Sequence, residues 1–181
     1  MTVNTNAHDQ DTSGGAPADA FQCAATTPGD EHARLDQFVG TWQCRGRFWM
    51  EPGADCIASD GTMVNAWTLD GRYLQQSYTA DFMGSPFQGT GYWGFNKVTG
   101  KYQGLWMDTM STWFCLDEGN YDASRQEWIM VGDWDCPQTG GKVHKRSVIR
   151  VINEDSHVME TYMPTPDGKE FLSMELTYTR Q

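Results

Sequence analysis

The strand-like run at residues 102–108 contains the first side chains that could do chemistry. Successive side chains of a strand point to opposite faces, so Trp106 and Asp108 share one face, and Gly104 leaves room beside them. An indole and a carboxylate next to open space suit a pocket wall, where the carboxylate meets a ligand or an internal Arg. A second interpretation is that Asp108 caps the turn towards Ser111.

A second set of candidates lies in the middle of strand-like runs near the C-terminus. Arg146 lies in one run, Glu160 and Tyr162 share a face of the next, and Glu175 lies in the last. Ionisable side chains at such positions either face water or face inwards and need partners. Facing inwards, they would form a network with Asp108 in which Arg146 anchors a carboxylate or carbonyl group. Facing outwards, they would form cross-strand salt bridges of little energetic value.

These candidates support two functions of different classes. The first is a binding protein, and we predict this one because ten Met, eight Trp, eight Phe and seven Tyr supply adaptable apolar lining. The second is an isomerase, cyclase or lyase in which Asp108, Glu160 or Glu175 moves a proton. Whether the protein is an enzyme stays open. The ligand is a small, partly apolar molecule, with or without a carboxylate, and the predicted ligand-binding residues are Trp106, Asp108, Arg146, Glu160, Tyr162 and Glu175.

Patterns for other chemistry are weak. The chain has no His-x-His or Glu-x-x-His for zinc, no Gly-x-Ser-x-Gly for a nucleophile and no phosphate-binding glycine loop. Gly89 and Gly91 lie inside a strand pattern, which indicates close packing. We predict no cofactor and no metal. Five scattered cysteines are most simply free thiols. The alternative is a disulfide or metal site formed across strands by members of the set Cys44, Cys56, Cys115 and Cys136.

Ten alternating runs must position these side chains. Short turns separate them, among them Asp70-Gly71, Glu118-Gly119-Asn120 and Asp167-Gly168. This pattern predicts an all-β antiparallel meander, which leaves no open edge if it closes into an up-and-down barrel. About ten strands enclose more space than their own side chains fill, so we expect an interior ligand cavity. The predicted strands are 41–50, 61–69, 72–82, 87–96, 101–108, 111–118, 126–134, 142–152, 156–163 and 170–180.

The charge and the N-terminus limit the partners and the location. A net charge of −11 would repel nucleic acid and an anionic membrane surface, so we predict a small-molecule partner and neither of these. Residues 1–27 are polar and lack a basic start or an apolar stretch of signal length. They predict a disordered leader before one domain at 28–181, in a cytoplasmic protein. The oligomeric state stays open, and a homodimer is compatible with it.

Several phrases between residues 31 and 180 resemble the bacterial lipocalin-like (calycin) family designated domain of unknown function 1579. They include Val39-Gly40-Thr41-Trp42, Leu69-Asp70-Gly71-Arg72-Tyr73-Leu74, Met83-Gly84-Ser85-Pro86-Phe87 and Asp167-Gly168-Lys169-Glu170-Phe171. The resemblance implies a calycin-type barrel and no established activity. A short helix at 28–38, with Leu35 and Phe38 on one face, would close one end.

In lipocalin-like barrels a Gly-x-Trp opens the first strand, and an Arg near the end of the last strand packs over the indole. Gly40, Trp42 and Arg180 match this arrangement, and a guanidinium stacks well on an aromatic face. Nitrobindin-like barrels of the same broad architecture hold haem through a His. His144 or His157 could take that place, although a single strand His is more often exposed.

Overall fold

The computed structural model describes residues 24–181. The leader predicted at 1–27 lies, up to residue 23, outside the described residues. At its end, Arg72 Nη2 donates to the carbonyl oxygen of Thr26 at 3.1 Å, and Lys97 Nζ donates to that of Thr27 at 3.0 Å. These bonds attach residues 26 and 27 to the body of the domain.

Ten antiparallel strands form a closed barrel in which each strand pairs with its neighbours in sequence and the last pairs with the first. This confirms the predicted all-β, up-and-down barrel. The strands are β1 (Gly40–Phe48), β2 (Ile57–Thr68), β3 (Tyr73–Phe82), β4 (Ser85–Asn96), β5 (Lys101–Asp108), β6 (Cys115–Asp122), β7 (Glu127–Asp135), β8 (Lys142–Asn153), β9 (Ser156–Pro164) and β10 (Glu170–Arg180).

The sixth strand departs from its predicted position. β6 begins at Cys115 rather than residue 111, and the predicted turn at Gly119-Asn120 lies inside it. A Cβ on Gly119 would overlap the backbone of Ile129 on the neighbouring strand. Glycine is therefore needed there for close approach of two strands. The turn comes later, at 123–126, where Gln126 adopts a φ of +56°.

Two short helical segments cover one end of the barrel, as predicted. They are the helix α1 (Asp30–Ala33) and a 3₁₀ turn (Asp36–Phe38). Leu35 and Phe38 are buried between them and the strands. The ring centroid of Phe38 lies 5.1 Å from those of both Trp93 and Trp128. We call this the closed end, and the opposite end, bounded by the loops 49–56, 83–84, 109–114, 136–141 and 165–169, the open end.

Trp42 and Arg180 join the first and last strands at the closed end, as the resemblance implied. The guanidinium carbon of Arg180 lies 4.1 Å from the centroid of the Trp42 ring. Its Nη1 donates to the Val39 carbonyl at 2.7 Å and its Nη2 to that of Gln37 at 3.1 Å. Gly40 has a φ of +125°, and a Cβ there would lie 2.7 Å from Nη1 of Arg180. Glycine is thus required twice at position 40, by conformation and by space.

Large side chains fill the half of the barrel interior nearest the helices, which we call the closed half. Its members are buried and form a continuous aromatic and aliphatic core, comprising Leu35, Phe38, Trp42, Cys44, Leu74, Tyr78, Trp93, Tyr102, Trp128, His157 and Tyr178. This packing makes the closed half a core, against which partly buried Phe48, Phe87 and Met174 also pack from the opposite half.

Candidate functional site

Partly exposed side chains line the other half of the interior. Trp106 shares the inner face of β5 with buried Tyr102 and lies opposite Cys115. Gly132 of β7 lies opposite Asp117 on one side and Lys145 on the other. Because side chains alternate along a strand, these positions face the same interior. We call the following group the open-half residues: Trp106, Asp108, Cys115, Asp117, Trp134 and Lys145.

An ion pair crosses the inner wall of this half. Lys145 Nζ lies 2.6 Å from Asp117 Oδ2, and the two side chains are only 14% and 23% exposed. The carboxylate reaches the ammonium across Gly132, where a Cβ would overlap Asp117 Oδ1 and the carbonyl oxygen of Leu116. Asp117 Oδ1 is buried and accepts no hydrogen bond from the described residues. A glycine on β7 therefore allows charges on β6 and β8 to meet.

Trp106 and Asp108 lie together, as their shared face predicted. Trp106 Nε1 donates to Asp108 Oδ2 at 3.0 Å. The indole lies over Gly89 and Gly91, where any Cβ would overlap the ring, and this is the close packing expected of those glycines. Asp108 Oδ1 also accepts from the backbone N–H of Met110 at 2.9 Å. Asp108 therefore caps the turn after β5, as the second interpretation had it, and its other oxygen accepts from the Trp106 indole rather than from an Arg among the described residues.

There is room for a side chain beside this pair, at Gly104. This glycine faces inwards between Trp93 of β4 and Asp117 of β6. A Cβ built on it would meet only the Cβ of Asp117, at 3.8 Å, which is an ordinary van der Waals contact. Among the inward-facing glycines named above, it is the one position where a side chain could be added without a clash.

Two further indoles stand at the mouth of the open half. Trp113, in the loop between β5 and β6, contacts Trp134 of β7 edge to face, with ring centroids 6.3 Å apart. Trp113 Nε1 is buried and has no acceptor among the described residues. The two indoles therefore form an apolar patch at the mouth that retains an unused hydrogen-bond donor.

Cys115, the one cysteine among the open-half residues, has a thiol of low reactivity. Burial raises the pKa of the Cys115 thiol, against the opposing effect of the Lys145 ammonium. The thiol therefore stays protonated at neutral pH and is a poor nucleophile. Within residues 24–181 all four cysteines are free, and no three His, Cys, Asp or Glu side chains are grouped as metal ligands.

The structure corrects the inward placement of Arg146 and Tyr162. They lie opposite each other on β8 and β9, on the outer face, while the adjacent Ser147 and Thr161 pair inside and share a hydrogen bond of 2.9 Å. The Arg146 guanidinium carbon lies 4.4 Å from the Tyr162 ring centroid, and its Nη2 lies 2.6 Å from Glu170. Arg146 therefore has no access to the interior.

Glu160 and Glu175 are corrected in the same way. Glu160 lies 2.7 Å from Arg150 Nη2 and accepts from the Tyr162 hydroxyl at 2.8 Å, both on the outer face. Glu175 lies 2.6 Å from Arg47 Nη2 on the outside of β1 and β10. The outward alternative, cross-strand salt bridges, is the one observed, and of the predicted ligand-binding residues only Trp106 and Asp108 face inwards.

Sequence reasoning missed Lys145 and Asp117, although a signal for Lys145 was present. On β8 the face holding Val143, Ile149 and Val151 is the more apolar one, and Lys145 is the one charge on it. A single charge on the apolar face of a strand marks an interior polar position. Asp117 had no such signal, because the displaced β6 assignment ended one residue after it.

The two strand histidines occupy contrasting places. His144 is on the outer face, with Nδ1 3.1 Å from Asp133. His157 is buried in the closed half, with ring centroids 5.0 Å from Phe38, 4.4 Å from Trp42 and 4.3 Å from Tyr178. Burial, and then the charge of Arg180, lowers the pKa of His157 to about 3. His157 is packed on three sides as a neutral core side chain, an arrangement that does not fit an open haem ligand.

Two depressions lie outside the barrel interior. One, of about 510 Å³, is on the outer face of β6 and β7 against Glu118, Asn120 and Ile129. The other, of about 100 Å³, lies between residues 25–28 and Arg72 at the closed end. Neither contains the open-half residues. No helix within residues 24–181 has the length and apolarity to cross a membrane.

Comparisons with known proteins agree with this architecture. The crystal structure of Rv2717c from M. tuberculosis matches with a TM-score of 0.63 at 15% identity, covering 86% of this chain and 99% of that one. The structure of the S-type phycobiliprotein lyase CPES from Guillardia theta matches with a TM-score of 0.59 at 12% identity, covering 85% and 98%. No curated protein matches. The model of the protein family of unknown function DUF1579 matches residues 27–180, so the chain belongs to that family.

Proposed function

We propose that the protein binds a small, partly apolar molecule in the open half of its barrel. The observation that carries this proposal is the room for an added side chain at Gly104, which faces inwards next to the Asp117 side chain. An interior ligand site needs accessible volume, apolar walls and a few polar groups that set orientation. Trp106 and Trp134 supply the walls, and Asp108, Asp117 and Lys145 supply the polar groups.

The ion pair supports a binding role over a purely structural one. Taking two charges out of water is costly, and a well-packed apolar pair of the same volume is often as stabilising or more so. A wall that only had to be filled would therefore need neither Lys145 nor Asp117. Their place beside open space is where a ligand's polar group would be recognised. In this proposal they replace Arg146, Glu160, Tyr162 and Glu175 as the polar part of the site.

Filling the lumen tests the proposal. We expect Gly104→Leu to keep or raise the melting temperature, because it adds apolar contacts in a strand, and to abolish binding of the neutral fluorescent probe N-phenylnaphthylamine. The matched control is Gln103→Leu, which adds the same side chain to the outer face of the adjacent position. Unchanged probe binding by folded Gly104→Leu would refute the interior site. If Gly104→Leu abolishes probe binding, native mass spectrometry of protein from its own host would identify the natural ligand.

A second candidate, an enzyme, rests on Asp108. No cation of the described residues lies within 4.0 Å of this interior carboxylate, whereas Asp117 is paired. An interior carboxylate without a counter-ion can accept a proton from a bound molecule. The fold supports either role, and the phycobiliprotein lyase shows by its name that a similar barrel can be a lyase.

If the recovered ligand is turned over, Asp108→Asn should keep binding and abolish turnover. Full turnover by that variant would exclude Asp108 as the base.

A further inference from the structure

The charges of the open half are unequally balanced. Its one ammonium, on Lys145, is already 2.6 Å from Asp117, while Asp108 has no cationic partner within residues 24–181. The polar groups of this half thus carry one positive and two negative charges, in a protein whose overall net charge is −11. An anionic group that entered would meet a neutralised cation and an uncompensated carboxylate.

Apart from the Trp113 indole at the mouth, the unused hydrogen-bonding capacity of this half has the same bias. Each carboxylate oxygen can accept about two hydrogen bonds. Each oxygen of Asp108 accepts one, and Asp117 Oδ1 accepts none. Acceptors are therefore in excess on this wall. They favour a ligand that donates through N–H or O–H groups, while the remaining protons of Lys145 can serve a carbonyl oxygen.

Building on the proposed function, we propose that this site selects neutral or cationic hydrogen-bond donors, such as amides, phenols or amines, and rejects free carboxylates and sulfonates. Asp117 sets this selectivity by neutralising Lys145. Like charges brought together at an interface are strongly unfavourable, which is how proteins exclude wrong partners.

A pair of probes with one scaffold tests the selectivity. N-phenylnaphthylamine is neutral, and anilinonaphthalene sulfonate adds one negative charge to the same rings. We expect the wild-type protein to bind the neutral probe at least about tenfold more tightly than the sulfonate, the size of a single charge-assisted interaction. Tighter binding of the sulfonate, lost in Gly104→Leu, would overturn this inference and leave the proposed function standing. Failure to bind either probe would overturn both.

Releasing Lys145 should reverse the preference. We expect Asp117→Asn to tighten sulfonate binding by roughly tenfold, since the freed ammonium can pair with the anion, and so to raise the affinity for the sulfonate relative to that for the neutral probe. The double variant Asp117→Asn with Lys145→Met should lose that gain. Arg146→Met is the matched control, because it removes a cation from the adjacent position on the outer face. A folded Asp117→Asn variant with unchanged sulfonate affinity would assign the selectivity elsewhere and refute the role of Asp117. If it does not fold, the wild-type probe ratio still decides the inference.

Discussion

The two halves of the barrel interior are built from the same strands and do opposite things. In the closed half, Trp42 and His157 are buried and Arg180 bonds the backbone of the helical cap. In the open half, Lys145 and Asp117 remain partly exposed beside a glycine with space above it. We infer that the closed half supplies most of the packing stability, and the open half is where we propose the ligand site.

The largest difference between the halves should be in stability. We expect Trp42→Ala to lower the free energy of unfolding by roughly 3–5 kcal/mol, because it empties a packed site and removes the surface on which Arg180 stacks. Trp134→Ala, in the open half, should cost clearly less, since its side chain already meets solvent. Urea unfolding of both variants measures the contrast. Equal losses would mean that the two halves do not divide stability as we infer.

Two glycine-to-alanine substitutions should distinguish a tightly packed position of the open half from one with room for a side chain. We expect Gly132→Ala to cost roughly 1–3 kcal/mol, the range for overpacking, because its Cβ would displace Asp117 from the path to Lys145. Gly104→Ala should be neutral or stabilising, because space is available there. Thermal unfolding compares the pair. A Gly132→Ala variant as stable as Gly104→Ala would show that the inner wall adjusts without strain.

A smaller effect should come from pH and belongs to the closed half. Folding lowers the pKa of His157 from 6.5 to about 3, so below pH 6.5 only the unfolded chain takes up this proton. The contribution of neutral His157 to the free energy of unfolding is fully present well above pH 6.5. It decreases as the pH falls, by about 1 kcal/mol between pH 7 and pH 5.5.

His157→Phe tests this linkage, because it keeps an aromatic ring in the cage and removes the titration. The variant should lose about 1 kcal/mol less than wild type between these pH values, as measured by urea unfolding at each pH. His144→Gln, on the outer face, is the control and should follow the wild type. Equal pH dependence of all three proteins would contradict the neutral, buried state of His157.

The fold could be predicted from sequence because its signals are local. Alternation and turn residues marked all ten strands, and Gly40, Trp42 and Arg180 marked the closure. The site could be predicted only in part. Trp106 and Asp108 lie two residues apart on one strand, so the alternation of side chains was enough to predict that they lie next to each other. The meeting of Lys145 with Asp117 depends on the register of three strands, which no local pattern contains.

The outer face of β8 explains the remaining error. Val148 is buried although it lies on the outer face, where its neighbours across the strands are Ile129 and Glu160. Arg150 contacts both Glu127 and Glu160, and Glu127 is itself only 7% exposed. From the sequence, the mid-strand position of Arg146 was compatible with either face of β8, and these outer partners show which face it takes. An apolar residue in a strand indicates a buried position, and the long side chains of charged neighbours can bury it as well as a hydrophobic core can.

If the open half holds a ligand as proposed, the absence of a side chain at position 104 makes the volume of that site adjustable by a single substitution. We expect each carbon added there to reduce the volume of the proposed site and to leave the strand pairing unchanged. Ligand size could therefore diverge among descendants of one such barrel faster than the barrel itself, by substitutions that stability selection does not oppose.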